Sequence, residues 1–571
     1  MQLAVSCLGV SMGRRGSWLS WAVRRYERVR AGAWLGSHVS AHVRLRGVIL
    51  VLIVLACAGT FVSCGADKQA APLNPLELSK QAAEQAAQAL LGAASTGPDA
   101  SSAQAELNKL KVAPLNQDFL DSLTLPAVDA SSIAAVGYPL GERPTSQDFS
   151  YARGMQIPSL SELVSPPGSE GEAPPGAIPT SFDLRKSDKL TSVKDQNPYG
   201  TCWAFATLGS LESLLRPGDS WDLSEDNMVL NSGFDNGSDP YNWGGTLEMS
   251  TAYLVRWGGP VDESGDAYGD GYTPAELSPN MHVQEVNWIP PRGSALDNTN
   301  IKNAIMQYGG VYVAMGWYGD ASGSPYYDAS TASYYHFVLS QANHAVLAVG
   351  WDDDYPAANF AMSPSGDGAF LVKNSWGTGF GDGGYFYVSY YDTTFGRVHP
   401  LGVVSGAEST SNYSGVYQYD PLGDVNGMGY GSPTAWFANV FTAQETSWLS
   451  AVGFYALAPG TSYEVYTGTS LTSMTLDASG TLAYMGYHTV TLSEPVALTS
   501  GDPFMVAVKV TSPGTDSPVA IEYPIADFSS AATAQPGQSY VSSDGTDWSD
   551  LTTEGDANAN VCLKAYVTTE P

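Results

Sequence analysis

Cys202 is the residue in this chain whose type and setting point most directly to covalent chemistry. It stands in the stretch QNPYGTCWAFA, residues 196–206. Pro198 and Gly200 mark a turn. After the cysteine, Trp203, Phe205, Leu208, Leu211 and Leu215 recur at helical spacing, and Pro217-Gly218 stops the helix. A cysteine in a first helical turn meets free N–H groups and the positive end of the helix dipole. That setting predicts a lowered thiol pKa and a reactive thiolate. Such a nucleophile needs a base to take its proton and later return it to a leaving amine, and a third group to orient that base. The chain has seven histidines. His38 and His42 lie near the N-terminus and His488 in the tail, which leaves His282, His336, His344 and His399. His344 is the candidate, because Asn343-His344-Ala345-Val346 enters an apolar strand whose mouth can present an imidazole rigidly. Asn374 ends the next long apolar run; its amide can accept from an imidazole N–H, and Trp376 is placed to shield that bond from water. Taken singly, Cys202 reads as well as a buried structural thiol, His344 as a core histidine and Asn374 as a turn residue. Their combination carries the chemical reading.

The elements that must position these residues are legible in outline. From Ile178 the texture is globular. Ser224 is set to cap a helix beginning at Glu225. Trp243-Gly244-Gly245 forms a turn before a helical stretch through Tyr253, and Ile301 to Tyr308 forms another helix. Val311 to Met315, His344 to Trp351, Phe370 to Lys373 and Tyr385 to Tyr390 read as strands. Helices first and strands later predict an α+β unit with two lobes over 179–400. Residues 401–412 read as a small-residue linker. From 413 to 571 helix signals vanish, and short strands such as Phe504 to Val510 alternate as in a β-sandwich.

Upstream, residues 1–46 are Arg-rich and Gly47 to Ser63 is apolar, so 1–66 reads as an export signal. Val62-Ser63-Cys64-Gly65 resembles a lipoprotein cleavage box, which makes Cys64 a candidate for lipid attachment to a membrane. Residues 67–178 form a leader, with an Ala-rich helical stretch near 81–94 and a Pro/Gly-rich exit at 166–176. At 571 residues, two or more globular units are expected. A net charge of -31 argues against nucleic acid as a partner and suits a secreted, soluble protein that repels itself and stays dispersed. Of the five cysteines, Cys7, Cys57 and Cys64 lie in or before the export segment, so Cys202 and Cys562 build no disulfide framework.

Cys202 followed by Trp203, with His344 and then Asn374 far downstream, matches the papain pattern. The chain resembles the papain family of cysteine peptidases, in its exported bacterial branch. Ser181-Phe182-Asp183-Leu184-Arg185, Leu223-Ser224-Glu225, Gly244-Gly245 and Asn374-Ser375-Trp376-Gly377 carry the likeness as well. The resemblance implies that Gln196 and the Cys202 N–H form an oxyanion hole. It also implies that Gly244 and Gly245 pair with an extended substrate backbone beside Trp376. No cofactor is implied. Many relatives carry a bridged cysteine where this chain has Tyr199, and its partner before Gly244 is missing too, which leaves the cleft's rigidity in doubt. Residues 112–122 resemble the leader of exported relatives, which commonly runs backwards through the cleft and holds the enzyme latent. Residues from Tyr413, with Gln538 to Trp548, resemble a lectin-like sandwich, which implies a carbohydrate or protein ligand at the cell surface.

Other signals carry less. Gly379 to Gly384 satisfies G-x-G-x-x-G, but a strand pattern follows, so a hairpin is expected rather than a dinucleotide site. The acids at Asp352 to Asp354 and Asp262 to Asp270 lack calcium-loop spacing and read as solvated loops, with no metal expected. The reading is a secreted or surface-attached cysteine peptidase acting on proteins or peptides, endopeptidase rather than exopeptidase. The alternatives are an inactive peptidase-like adhesin and a Cys-His acyl transferase.

Overall fold

The computed structural model describes residues 109–124, 138–158 and 178–570, apart from 238, 276, 320–322 and 554–557. The export segment, Cys64, the Ala-rich stretch and the Pro/Gly-rich exit lie outside the described residues. Among the described residues no helix is long and apolar enough to cross a membrane.

Two layers flank the site. On one side is the helix Cys202–Leu215, followed by Glu225–Leu230 and Leu247–Val255. Ser224 caps the second of these by accepting from Asn227 N–H, and Thr246 caps the third by accepting from Met249 N–H. The Cys202–Leu215 helix is buried from Cys202 through Ser213, which explains its nearly continuous run of apolar and small residues. On the other side, strands Val311–Met315, His344–Asp352, Ala369–Lys373 and Tyr385–Ser389 form consecutive antiparallel pairs. Their core of Val313, Val346, Leu371, Val372 and Phe386 is separate from the helical core around Trp203, Met228 and Tyr253. Gly379 to Gly384 leads into Tyr385–Ser389 as a tight turn, closed by pairing of Asp382 with Tyr385, as the strand pattern predicts.

Residues 401–408, expected as linker, are instead a strand. Leu401–Glu408 pairs antiparallel with His282–Ile289 and touches Val311–Met315. Its small residues serve close packing: a Cβ on Gly402 would lie 2.3 Å from the Leu247 side chain. His282–Ile289 in turn pairs through Val286 to Trp288 with Met485 to Tyr487 of the tail. One sheet of the C-terminal sandwich is therefore continuous with the sheet of the two-lobed unit. A second is six-stranded, with Thr434–Thr442 and Pro503–Thr511 at its centre, and Asn426–Gly429, Val519–Glu522 and Asn560–Val561 belong to a third. Phe437, Val465, Val506, Val508 and Val541 from the six-stranded sheet pack on Val452, Phe454 and Ala565 from the first. Most aromatic rings of the tail are packed; Trp436, for example, lies against Tyr466 at 5.1 Å.

The acidic stretches are less solvated than expected. Asp266 is buried and accepts from Asn227 Nδ2 at 2.7 Å and Thr273 Oγ1 at 2.6 Å. Asp353 accepts from the Tyr390 hydroxyl and pairs with Lys302. Both hold loops in place through hydrogen bonds, a use that charge patterning alone does not distinguish from exposure.

Candidate active site

The helix start and the strand mouth bring the sequence candidates together. Cys202 is the first residue of its helix and is fully buried. Its Sγ accepts from the Ala345 N–H at 3.3 Å, which sets the thiol beside the first residues of the His344–Asp352 strand. His344 Nε2 lies 2.9 Å from Asn374 Oδ1, so that N–H donates to the amide oxygen. His344 Nδ1 has no hydrogen-bond partner among the described residues and is the free position on the ring. Trp376 stacks on the imidazole at 4.5 Å and 16°. Gln196 Oε1 accepts from Ser375 Oγ at 2.6 Å, which fixes the side chain and turns its NH2 toward the Tyr199 carbonyl at 2.8 Å.

A chain segment already lies in the cleft. Residues 138–143, upstream of the papain-like fold, lie against Cys202, whose thiol meets the Gly141 N–H. Gly245 N–H donates to Gly141 O at 2.9 Å, Arg143 N–H to Gly245 O at 3.0 Å, and Glu142 N–H to Asn343 O at 3.2 Å. The pairing of Glu142 with Gly245 is parallel. Gln196 Nε2 points at the Pro139 carbonyl at 3.4 Å. Tyr138 stacks on the outer face of Trp376 at 4.2 Å, so that indole is sandwiched between His344 and the leader. Close approach demands small residues. A Cβ on Gly141 would sit 1.8 Å from Gly200 O, and one on Gly245 would enter the Trp203 ring at 2.4 Å.

This cover reverses the expected electrostatics. Burial, with a smaller contribution from Glu142, pushes the Cys202 thiol up to about 12, although the Ala345, Gly141 and Trp203 N–H groups pull the other way. Burial pushes His344 down to about 4, against the Asn374 hydrogen bond. Desolvation outweighs the helix start, so under the leader the pair is neutral thiol and neutral imidazole.

The missing bridge has a replacement that sequence reasoning did not supply. Tyr199 stacks on Tyr241 at 4.5 Å, and Gly200 N–H donates to Asn242 Oδ1 at 3.2 Å. Tyr268 donates to Gln196 O at 2.8 Å, and its hydroxyl lies 2.5 Å from Thr201 Oγ1. The turn carrying Gln196 and Cys202 is thus braced by three tyrosines. Glu142, Tyr312, Glu248 and His399, gathered beside Gly245, were also not singled out; an extended segment, a strand, a helix and a loop bring them together only in the fold.

Residues 178–399 match the family model described as papain family cysteine protease, and residues 416–567 match one described as lectin like domain. A viral cathepsin of Orgyia pseudotsugata multicapsid polyhedrosis virus is 31% identical over 250 residues, 42% of this chain and 67% of that protein. The chain belongs to the papain family of cysteine proteases. It is also 31% identical over 239 residues to a cathepsin L-like peptidase of Aedes aegypti, covering 41% of this chain and 63% of that one. The chain therefore spans somewhat less than two thirds of most of the curated papain-family relatives it matches. The cysteine protease and lectin-like domains of Cwp84, a surface layer associated protein of Clostridium difficile, superpose with a TM-score of 0.64 at 24% identity, over 81% of this chain and 99% of that one. A point variant of Cwp84 after propeptide cleavage gives 0.60 at 26% identity, over 68% of this chain and 99% of that one. The arrangement of papain-like unit followed by lectin-like sandwich is thus shared as a fold.

Proposed function

We propose that this chain is a secreted or surface-attached cysteine peptidase, made as a latent precursor, that cleaves proteins through an acyl-enzyme on Cys202. One observation carries the reading. An extended backbone, residues 138–143, is hydrogen-bonded in the cleft over Cys202 as a substrate would be, but in the reversed, parallel direction. Once the leader leaves, water returns to the pair, and the helix start favours the thiolate with His344 as imidazolium. Sγ attacks the scissile carbonyl carbon. The oxyanion takes hydrogen bonds from Gln196 Nε2 and the Cys202 N–H. His344 passes its proton to the leaving amine, the C–N bond breaks, and water activated by the same imidazole hydrolyses the thioester. Asn374 holds the ring through Nε2, and Trp376 covers that bond. The lectin-like sandwich serves as a docking module for a surface carbohydrate or protein.

The test compares wild type with Cys202→Ser and His344→Ala. Thiol labelling by an epoxide inhibitor and hydrolysis of a peptide are followed, with and without an added amine. Labelling and hydrolysis in wild type alone are expected. Amine incorporation in place of hydrolysis would mark an acyl transferase, and absence of both reactions after the chain has been cut within residues 159–177 would mark an inactive binding protein.

A further inference from the structure

The leader residue that pairs with Gly245 places its side chain inside the peptidase unit. Glu142 is buried, with its backbone fixed between Asn343 and Gly245. Its Oε1 lies 3.2 Å from His399 Nδ1, and its Oε2 accepts from the Tyr312 hydroxyl. Tyr312 belongs to the Val311–Met315 strand, and His399 stands just before Leu401–Glu408. Glu248, in the first turn of the helix that follows Gly245, completes the buried set. Its two carboxylate oxygens have no hydrogen-bond partner among the described residues. Burial pushes it up to about 7, against its own backbone N–H, the Thr246 hydroxyl and His399, while Glu142 adds to the rise.

All three walls of this recess, Tyr312, Glu248 and His399, belong to the papain-like unit and not to the leader. They persist when the leader departs. A hydroxyl and an imidazole N–H aimed at one point are donors, and donors buried without an acceptor carry a penalty. An apolar guest leaves both unpaired. A basic guest offers only further donors to them. An acidic side chain satisfies both donors, as Glu142 does.

We propose that this recess is a recognition site for a carboxylate side chain, so that the enzyme prefers protein substrates with an acidic residue, glutamate above all, where the substrate pairs with Gly245. The inference rests on the peptidase reading of the same cleft. Tyr312 and His399 are then specificity-determining residues.

The experiment uses the full chain, matured by its own activity or by elastase added to cut after Val164 and then stopped with a serine-protease inhibitor, with both pieces retained. Active sites are first counted with a radiolabelled epoxide. Four fluorogenic peptides differing only in Glu, Gln, Leu or Arg at the residue beside Gly245 are then compared by kcat/KM. We expect Glu to exceed Leu and Arg by at least about tenfold, because a site built to hydrogen-bond a side chain discriminates strongly against guests lacking the partner. Tyr312→Phe and His399→Gln, each normalised to titrated sites, are expected to lower the Glu-to-Leu ratio at least about tenfold. Either variant reads the same ratio if the other does not fold. A titratable thiol with Leu or Arg preferred in wild type overturns the acidic recess and leaves the peptidase reading intact. No titratable thiol and no cleavage overturns both.

Discussion

At the scale of single residues, burial sets the charge of Cys202 and His344. With its pKa near 12, the covered thiol stays protonated throughout the neutral range, and His344 near 4 stays neutral above mildly acidic pH. The sign is fixed by burial: it disfavours the charged form of each group, raising the acid and lowering the base. Alkylation of Cys202 at pH 7 should therefore run at least about a hundredfold slower in the leader-bound chain than after the leader is removed. Rates of iodoacetamide labelling across pH 5–9 in the two forms check this, and equal rates would refute it. The supporting residues divide differently. Gln196→Ala should lower kcat of the matured enzyme by roughly ten- to a thousandfold, as loss of one oxyanion donor does. Asn374→Ala should cost less than His344→Ala, since it orients the ring without carrying the proton; steady-state kinetics on one peptide rank them. The identities of Cys202, His344, Asn374 and Gln196 as candidates were legible because papain-like spacing is distinctive. The protonation of Cys202 was not, because it depends first on burial and then on Glu142, more than fifty positions away in the chain.

At the scale of elements, the turn before Cys202 raises the question of what keeps an unbridged cleft rigid. The answer is aromatic and hydrogen-bonded: Tyr199 against Tyr241, with Tyr268 tied to Gln196 O and next to Thr201 Oγ1. Tyr268→Phe keeps the ring packing against Phe205 at 5.0 Å and deletes only the hydroxyl. It should lower kcat of the matured enzyme several-fold while changing stability by about 1 kcal/mol, the usual worth of a lost hydrogen bond. Kinetics and thermal unfolding of the same preparation separate the two effects; unchanged kcat would remove Tyr268 from the positioning of Gln196. Long apolar runs bounded by turn signals, such as Cys202–Leu215 and His344–Asp352, were readable from the chain alone. Leu401–Glu408 was not. Its Gly402 and Gly406 look like linker residues, and only the fold shows them pressed against Leu247 and Glu285. The joint between Val286 to Trp288 and Met485 to Tyr487 is equally hidden, since pairing between distant strands leaves no local trace.

At the scale of the whole described chain, the leader is held by more than the cleft. Lys111 and Val112 pair with Gly429 and Met428 of the lectin-like sandwich. Phe119, in the short helix Gln117–Leu123, is buried edge-on against Phe528 at 4.8 Å, and Phe528 also stacks on Trp243 beside the cleft glycines. Arg143 covers Trp243 at 3.9 Å and donates to Ser122 O at 3.1 Å, which ties the crossing strand to that helix. Ser146 donates to Val425 O at 2.6 Å, and Tyr151 to Leu457 O at 2.7 Å, both in the C-terminal domain. The leader is thus anchored on the papain-like unit and on the sandwich together, and the cleft segment is one span of a longer clamp. Loosening a remote anchor should therefore weaken the cover over Cys202. Phe119→Ala removes a buried ring worth roughly 3–5 kcal/mol in a packed core. In the uncleaved chain it should speed epoxide labelling of Cys202, and should hasten cutting within residues 159–177. Pairing it with Cys202→Ser separates the chain's own cutting from that of other proteases: the double variant should stay intact when purified. Labelling of uncleaved Phe119→Ala at the wild-type rate would mean that residues 138–143 hold the cleft unaided and that the sandwich has no part in latency.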